Sequence, residues 1–508
     1  MNGAALAWLI GLPLATAPAA YLAGRLWAMA PGAAHRRRGP LLPRWLALAA
    51  LAAAWAPLVA AARAVIASGP ATVLVGAIAL RVDALSVLVA GLALALGALA
   101  VLFSGPDIAG APGEEKYYAI VVTLVGALVG LACAGDLFNL WVWFELMTVA
   151  SYLLVCFDHS DPATLEAGVK YLVQSAAASS LVVVGIALAL AQTGTLDLGA
   201  IRAGAGRSPW LLAAGALLVV GFGVKAALVP LHTWLPDAHA QAPSGISALL
   251  SGVVIKAGLV ALLRVLGALA GVTPGWGPLL IAFGALNILA GNLLALRQAR
   301  VKRLLACSSV GHVGYILLGL GIGIDAGQAA AIQGGLFHLA THGLMSGLAF
   351  LAAGALRASL GAAPGEHSPL TASGLAGAAG RYPLAALALS LALLGLGGLP
   401  PLAGFMSKWQ IFAAGFATRS PAAMGLVVFA ALNSVLSLAY YAPLVNALYR
   451  TEMTPALRHG APMPLAMRAP LAVLALAVVV LGVAPGLASP LTEPAAAAVL
   501  ALFRGGGP

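Results

Sequence analysis

Charge is what this chain of 508 residues lacks most. Asp, Glu, Lys and Arg together make up 8% of it, against 62% hydrophobic residues. Soluble globular domains carry about a quarter charged residues, so the composition excludes that class. Acids are scarcer than bases, 15 against 26. A net charge of +11 would suggest nucleic acid in a soluble domain, but here the bases lie in short loops beside apolar runs, where they act as topology signals. No nucleic-acid partner is expected. Cysteine is nearly absent: Cys133, Cys156 and Cys307 lie far apart in apolar stretches, which fits neither a disulfide framework nor a metal cluster. No haem, flavin or iron–sulfur motif occurs, so no cofactor is expected on this chain. Lysine is the rarest base, six residues against 20 arginines. Lys116 and Lys302 are read as loop residues and Lys170 as lying near a helix start. Lys225, Lys256 and Lys408 lie within or against broken apolar segments. A buried lysine can release its proton near neutral pH, whereas arginine cannot. Arginine is therefore expected on the flanks and lysine in the interior.

What is present is a series of runs long enough to cross a bilayer. After an N-terminal apolar helix, spans follow at 45–67, 84–104, 117–134, 137–157, 165–192, 210–228, 244–269, 277–296, 303–323, 329–356, 382–398, 422–449 and 469–488, each near the roughly 20 residues needed. The expectation is an all-α polytopic membrane protein with about 14 transmembrane helices. The basic cluster Arg25, Arg36, Arg37, Arg38 and Arg44 follows the first run, so that run reads as a retained helix rather than a cleaved leader. Basic loops alternate thereafter, at 297–303, 357–381 and 450–468, which places both termini outside the cell membrane. Segment 71–83 is β-rich and too short to span, so a small external hairpin is expected. The tail after 490 is read as short, without a long lateral helix.

Residues 221–258, GFGVKAALVPLHTWLPDAHAQAPSGISALLSGVVIKAG, are the stretch that most needs explaining. Lys225 and Lys256 lie inside apolar runs, and Pro230, His232, Pro236, Asp237, His239 and Pro243 lie between them. A charge at the centre of a membrane helix costs about 2.5–3.5 kcal/mol even on a lenient scale, and a broken helix frees backbone groups that hydrocarbon cannot satisfy. An internal, partly hydrated ion path accounts for both. A second break lies at 394–411, LGLGGLPPLAGFMSKWQI, just before Lys408. Breaks in helices 7 and 12, in successive halves of the chain, point to two inverted five-helix repeats, helices 4–8 and 9–13. The expected division is 1–110, 111–270, 271–450 and 451–508.

Glu145 is the one acid read as deep inside an apolar run, and a buried carboxylate needs a cation, which a lysine provides. Histidines add relay capacity: His312, and His338 with His342, four apart on one helix face. An i, i+4 histidine pair could also hold metal, but no HExxH pattern or carboxylate cluster supports it, and no metal is expected. His232, His239 and Asp237 read equally as relay, gating or structural groups. Lys170, one turn after Glu166, reads as structural.

The run PLHTWLPDAHAQAP between Lys225 and Lys256, FNLWVWFE around Glu145, and GLPPLAGFMSKW resemble the antiporter-like family. It comprises the pumping subunits of respiratory complex I, the large subunits of Mrp-type sodium/proton antiporters and the membrane subunits of energy-converting hydrogenases. The resemblance implies fourteen helices in two inverted repeats and a proton path along the membrane midplane. It pairs the residue at Glu145 with that at Lys225, and continues the path through Lys256, His338 and Lys408. It also implies other membrane subunits, lipid and protons as partners, with sodium added in the Mrp-type alternative, where redox coupling is absent. A solute transporter or membrane scaffold is the further alternative. Many members carry a lysine in helix 11 where this chain has Ser346, and M-type subunits carry glutamate at the position of Lys408. The parent complex is thus left open by the sequence.

Overall fold

Apolar runs become helices here because a membrane-spanning backbone must satisfy its own polar groups. The computed structural model describes residues 3–29, 41–76, 78–360 and 370–504. The elements are α1 (Gly3–Met29), α2 (Leu41–Ala53), α3 (Trp55–Ser68), β1 (Ala71–Val75), β2 (Ile78–Val82), α4 (Ala84–Ile108), α5 (Glu114–Ala132), α6 (Leu137–Val155), α7 (Pro162–Thr193), α8 (Leu198–Gly204), α9 (Pro209–Lys225) and α10 (Trp234–Gln241). They continue with α11 (Ser244–Leu249), a π turn at Leu250–Val254, α12 (Ile255–Ala268), α13 (Trp276–Leu296), α14 (Val301–Ala326), α15 (Ala329–Ser359), α16 (Pro383–Gly397), α17 (Ala403–Ala417), α18 (Pro421–Leu448), α19 (Pro455–Arg458), α20 (Leu465–Val483) and α21 (Ser489–Phe503). Among the described residues, 13 helices are long and apolar enough to cross a membrane, or 14 if one bent pair counts as a span. The chain is an all-α polytopic membrane protein.

Three spans are buried almost all round: α11–α12, α14 and α15. A helix apolar on every side belongs inside a bundle, and these three form its axis. The remaining helices pack around them and turn apolar side chains outward, such as Trp210, Leu432 and Val473.

The two faces of the bundle are distinct. On one, Arg202 and Arg504 tie the ends of α8 and α21 together, and Arg504 also donates to the Gly327 carbonyl. The hairpin β1–β2 lies on this face, held by Arg81 N–H to the Cys133 carbonyl at 2.7 Å and by Gly135 N–H to the Ala79 carbonyl at 3.0 Å. The other face gathers Arg300, Arg303 and Arg357, which line one cavity, Arg44, which donates to the Leu102 carbonyl towards the end of α4, and Arg381, which donates to the Gly460 carbonyl beside the end of α15. Arg36–Arg38 of the sequence-based cluster lie outside the described residues.

Several expectations change. Arg264 breaks the rule of flanking arginines: it is buried in α12 and forms a two-pronged pair with Asp83 at 2.8 and 3.0 Å. Asp83 caps α4 through the Ser86 N–H at 2.9 Å, so one carboxylate fixes a helix start and the hairpin exit to the axis. Burial pushes its carboxyl up, but the Arg264 charge and hydrogen bonds hold it well below the usual carboxylate range. That depressed value stabilises the fold above the ordinary carboxylate pKa, and the contribution is lost as pH falls towards the folded value. Asp83→Asn leaves Arg264 as an uncompensated buried cation, and should cost about 3–5 kcal/mol in thermal unfolding of the detergent-solubilised protein. A Tm unchanged by the substitution would contradict this.

Lys302 is not a loop residue but the second residue of α14, donating to the Ala242 carbonyl at 2.5 Å, and Lys116 lies in the first turn of α5. The short tail after 490 is largely the helix α21. Pro485 and Pro490 interrupt and restart the chain, and α21 continues past α20 along the same two neighbours, α15 and α4.

Candidate functional site

The first interruption spans residues 226–233, between α9 and α10. Lys225, at the last turn of α9, is fully buried in an aromatic cage. Its Nζ donates to Tyr171 Oη at 2.7 Å and lies 4.3 Å from the Tyr171 ring, 5.5 Å from Trp234 and 5.9 Å from Phe144. Trp234 stacks on Tyr171 at 4.1 Å and donates to the Val224 carbonyl, so α10 acts as a cover over the ammonium. Glu145 approaches from α6 but makes no ion pair within 4.0 Å, and its Oε1 is buried without a partner. The Glu145–Lys225 contact expected from sequence is therefore absent in this conformation. Tyr171, which the sequence reading passed over, holds the lysine in its place, and its hydroxyl is shared with Ser151 at 2.8 Å.

Asp237 pairs with neither flanking histidine. It bridges Lys170 at 3.2 Å and Arg303 at 3.1 Å, pinning α10 between α7 and α14. Lys170 also pairs with Glu166 at 2.7 Å. Half-exposed, these are structural contacts worth little individually. His232 lies in the interruption, and its Nδ1 has no partner. His239 is buried, stacks on Phe350 at 4.5 Å and leaves both ring nitrogens without a partner.

Lys256 follows the π turn. The turn leaves the Ser251 carbonyl to accept from Lys256 Nζ, which also meets His342 Nδ1 at 2.7 Å. From there the titratable groups follow one another closely, by hydrogen bond or by ring stacking. His342 stacks on His312 with ring centroids 4.6 Å apart, and His312 Nδ1 meets His338 Nε2 at 3.1 Å. His338 Nδ1 meets Ser407 Oγ at 2.8 Å, one residue before Lys408. Ser346 only bonds back to its own helix, at the Gly343 carbonyl.

Lys408 ends this row at the second interruption, residues 398–402. Its Nζ donates to the Leu396 carbonyl and to Ser434 Oγ, both at 2.8 Å, and lies 4.6 Å from the Tyr315 ring. The ammonium thus caps the C-terminus of α16, where the helix dipole favours a cation. Both interruptions close with the same backbone pattern: Leu228 N–H to Gly223 and Ala227 N–H to Val224, then Leu399 N–H to Leu394 and Gly398 N–H to Gly395.

A cavity of about 620 Å³ opens on the arginine-rich face, lined among others by Asp107, Ser244, Arg300, Lys302 and Arg357. A row of buried serines leads inward from it. Ser244 lines the cavity, Ser247 donates to the His239 carbonyl, and Ser251 bonds Ser309 at 2.8 Å beside Lys256. The three serines on α11 and its π turn recur at intervals of three and four, the helical signal that could have identified them from sequence. No group of three or more His, Cys, Asp or Glu suited to a metal ion occurs among the described residues.

Residues 134–437 match the family model described as NADH:quinone oxidoreductase/Mrp antiporter, TM. The chain belongs to that family. Among its relatives, the NADH-quinone oxidoreductase subunit N 2 of Roseiflexus castenholzii is 36% identical over 384 residues, covering 73% of this chain and 75% of the relative. The F420H2 dehydrogenase subunit N of Methanosarcina mazei is 34% identical over 341 residues, covering 66% and 68%. Among solved structures, a chain of the archaeal membrane-bound sulfane sulfur reductase, a respiratory membrane complex, superposes with a TM-score of 0.85 at 28% identity over 98% of both chains. The family's members thus include subunits of complexes with different electron donors.

Proposed function

We propose that this chain is a proton-translocating subunit of a redox-driven membrane complex of the NADH:quinone oxidoreductase kind. In this reading it lies in the cell membrane with both termini outward. It has no redox centre of its own and works alongside other membrane subunits. The observation that carries the reading is the close-set row of titratable and hydroxyl groups from Lys256 through His342, His312, His338 and Ser407 to Lys408, buried in the axis of the bundle. Burying so many proton carriers has a large desolvation cost, and a membrane protein retains them for ion transfer.

Protons would enter from the cavity on the arginine-rich face, pass the serine row to Lys256, and cross by the histidines to Lys408. Lys225, caged and set apart from this row, would act as the switch. Drawn towards Glu145 its ammonium is held charged; released to Tyr171 it is free to pass its proton on. The matching closure of the two interruptions supports reading 111–270 and 271–450 as inverted repeats, with 1–110 and 451–508 as flanking segments. The test is direct: sealed vesicles containing the assembled complex should build a pH gradient when an electron donor is added. Electron transfer without any gradient would refute the proposal.

A further inference from the structure

Helix α13 is apolar apart from its terminal Trp276 and two buried amides, Asn287 and Asn292. Neither belongs to the row of proton carriers, yet Asn287 bonds the first interruption directly and Asn292 holds the stretch of α18 that bonds the end of α16 beside the second. Asn287 Oδ1 accepts the Val229 N–H at 2.9 Å, and its Nδ2 donates to the Ala227 carbonyl at 2.9 Å and to the Val310 carbonyl of α14 at 3.2 Å. It therefore satisfies backbone groups freed by the first break and ties them to the helix of His312. Asn292 Nδ2 donates to the Asn433 carbonyl at 3.0 Å and to its Oδ1 at 3.1 Å, while Asn292 Oδ1 accepts from Tyr440 Oη at 2.7 Å. The next residue, Ser434, donates to the Gly397 carbonyl at the second break and accepts from Lys408.

Around these contacts α13 is pressed onto α14. A Cβ at Gly291 would run into the Gly311 backbone, and one at Gly284 would meet Gly314 O at 3.0 Å. Backbones that close move as one body.

We infer that Asn287 and Asn292 are positioning residues that make α13 a crossbar, fixing the geometry of both helix interruptions relative to each other and to the histidine row. The inference rests on the proton-relay reading and adds a mechanical link running beside the chemical one. Without Asn287, the half-buried Val229 N–H and the buried Ala227 C=O lose their side-chain partner, and the turn that follows Lys225 loses its tie to α13.

The test uses the assembled complex. Asn287→Leu keeps the side-chain volume and removes all three bonds. Amide exchange at Val229 should rise roughly tenfold or more, and protons moved per electron should fall. Asn287→Asp is the conservative variant. A protonated carboxyl can accept from Val229 and donate to Ala227, but a carboxylate cannot donate, so its proton yield should recover towards the wild-type value as pH falls. The titratable groups on the bonded and neighbouring elements are Lys225 on α9, His232 in the interruption, Lys302, Arg303, Cys307, His312, Tyr315 and Asp325 on α14, and Tyr440 and Tyr441 on α18, all present in both proteins, so the comparison isolates residue 287. If Asn287→Leu fails to assemble, the pH profile of Asn287→Asp decides alone. Wild-type exchange and yield in Asn287→Leu, or a wild-type pH profile in Asn287→Asp, overturns the inference. A wild-type complex that builds no gradient overturns the relay reading instead.

Discussion

Replacing Lys225 by arginine should stop proton translocation as completely as replacing it by alanine. Arginine preserves the positive charge beside Tyr171, Trp234 and Phe144, and it is the stronger partner for stacked aromatic rings. A structural cation would therefore be replaced with little loss. A proton carrier would not, because guanidinium does not deprotonate in proteins. The expected fall is roughly 100-fold or more, the scale on which removing a positioned proton-transfer group acts. Proton flux in sealed vesicles, normalised to electron transfer, is the readout. An active Lys225→Arg protein would reduce Lys225 to a counter-ion for the cage.

The second large effect is expected at Lys408. Lys408→Met keeps the length and apolar stem but leaves the Leu396 carbonyl and Ser434 without the ammonium that caps α16. Assembly should persist, because Ser434 still covers the Gly397 carbonyl, while translocation stops. Lys408→Glu tests the chemistry further. Glutamate can donate to the Leu396 carbonyl only when protonated, so its flux should be partial and should rise as pH falls. Flux in the Met variant equal to wild type would put Lys408 off the path.

Much of this architecture was legible in the sequence, because the signals are local. Long apolar runs gave the spans, Pro and Gly gave both interruptions, and isolated lysines marked the interior. What stayed hidden is what depends on contacts between distant segments. Arg264 lies four residues from the end of its helix and reads as a flanking charge until Asp83, 181 residues away, is brought against it. Glu145 and Lys225 both read as buried charges in need of partners, but Tyr171 and Trp234 enclose the lysine first. Asn287, Asn292 and the serines at 244, 247 and 251 are neutral, so no charge penalty called attention to them. Their roles arise from backbone groups freed by irregular turns elsewhere in the chain. The resemblance implied a path through Lys256, His338 and Lys408, yet it did not indicate that His312 stands between His342 and His338.

His312 is accordingly where the central claim is most exposed. It stacks on His342 at 4.6 Å and bonds His338, whereas His338 and His342 face each other only at 6.2 Å, so the shortest course from Lys256 to Lys408 along this row runs through it. The measurement is the number of protons moved per electron by sealed vesicles carrying the His312→Leu complex, at a pH where wild type pumps. A continuous route through the axis predicts that electron transfer proceeds while this chain's share of the proton yield disappears. A wild-type yield would contradict it, and the buried histidines would then be packing residues rather than a path.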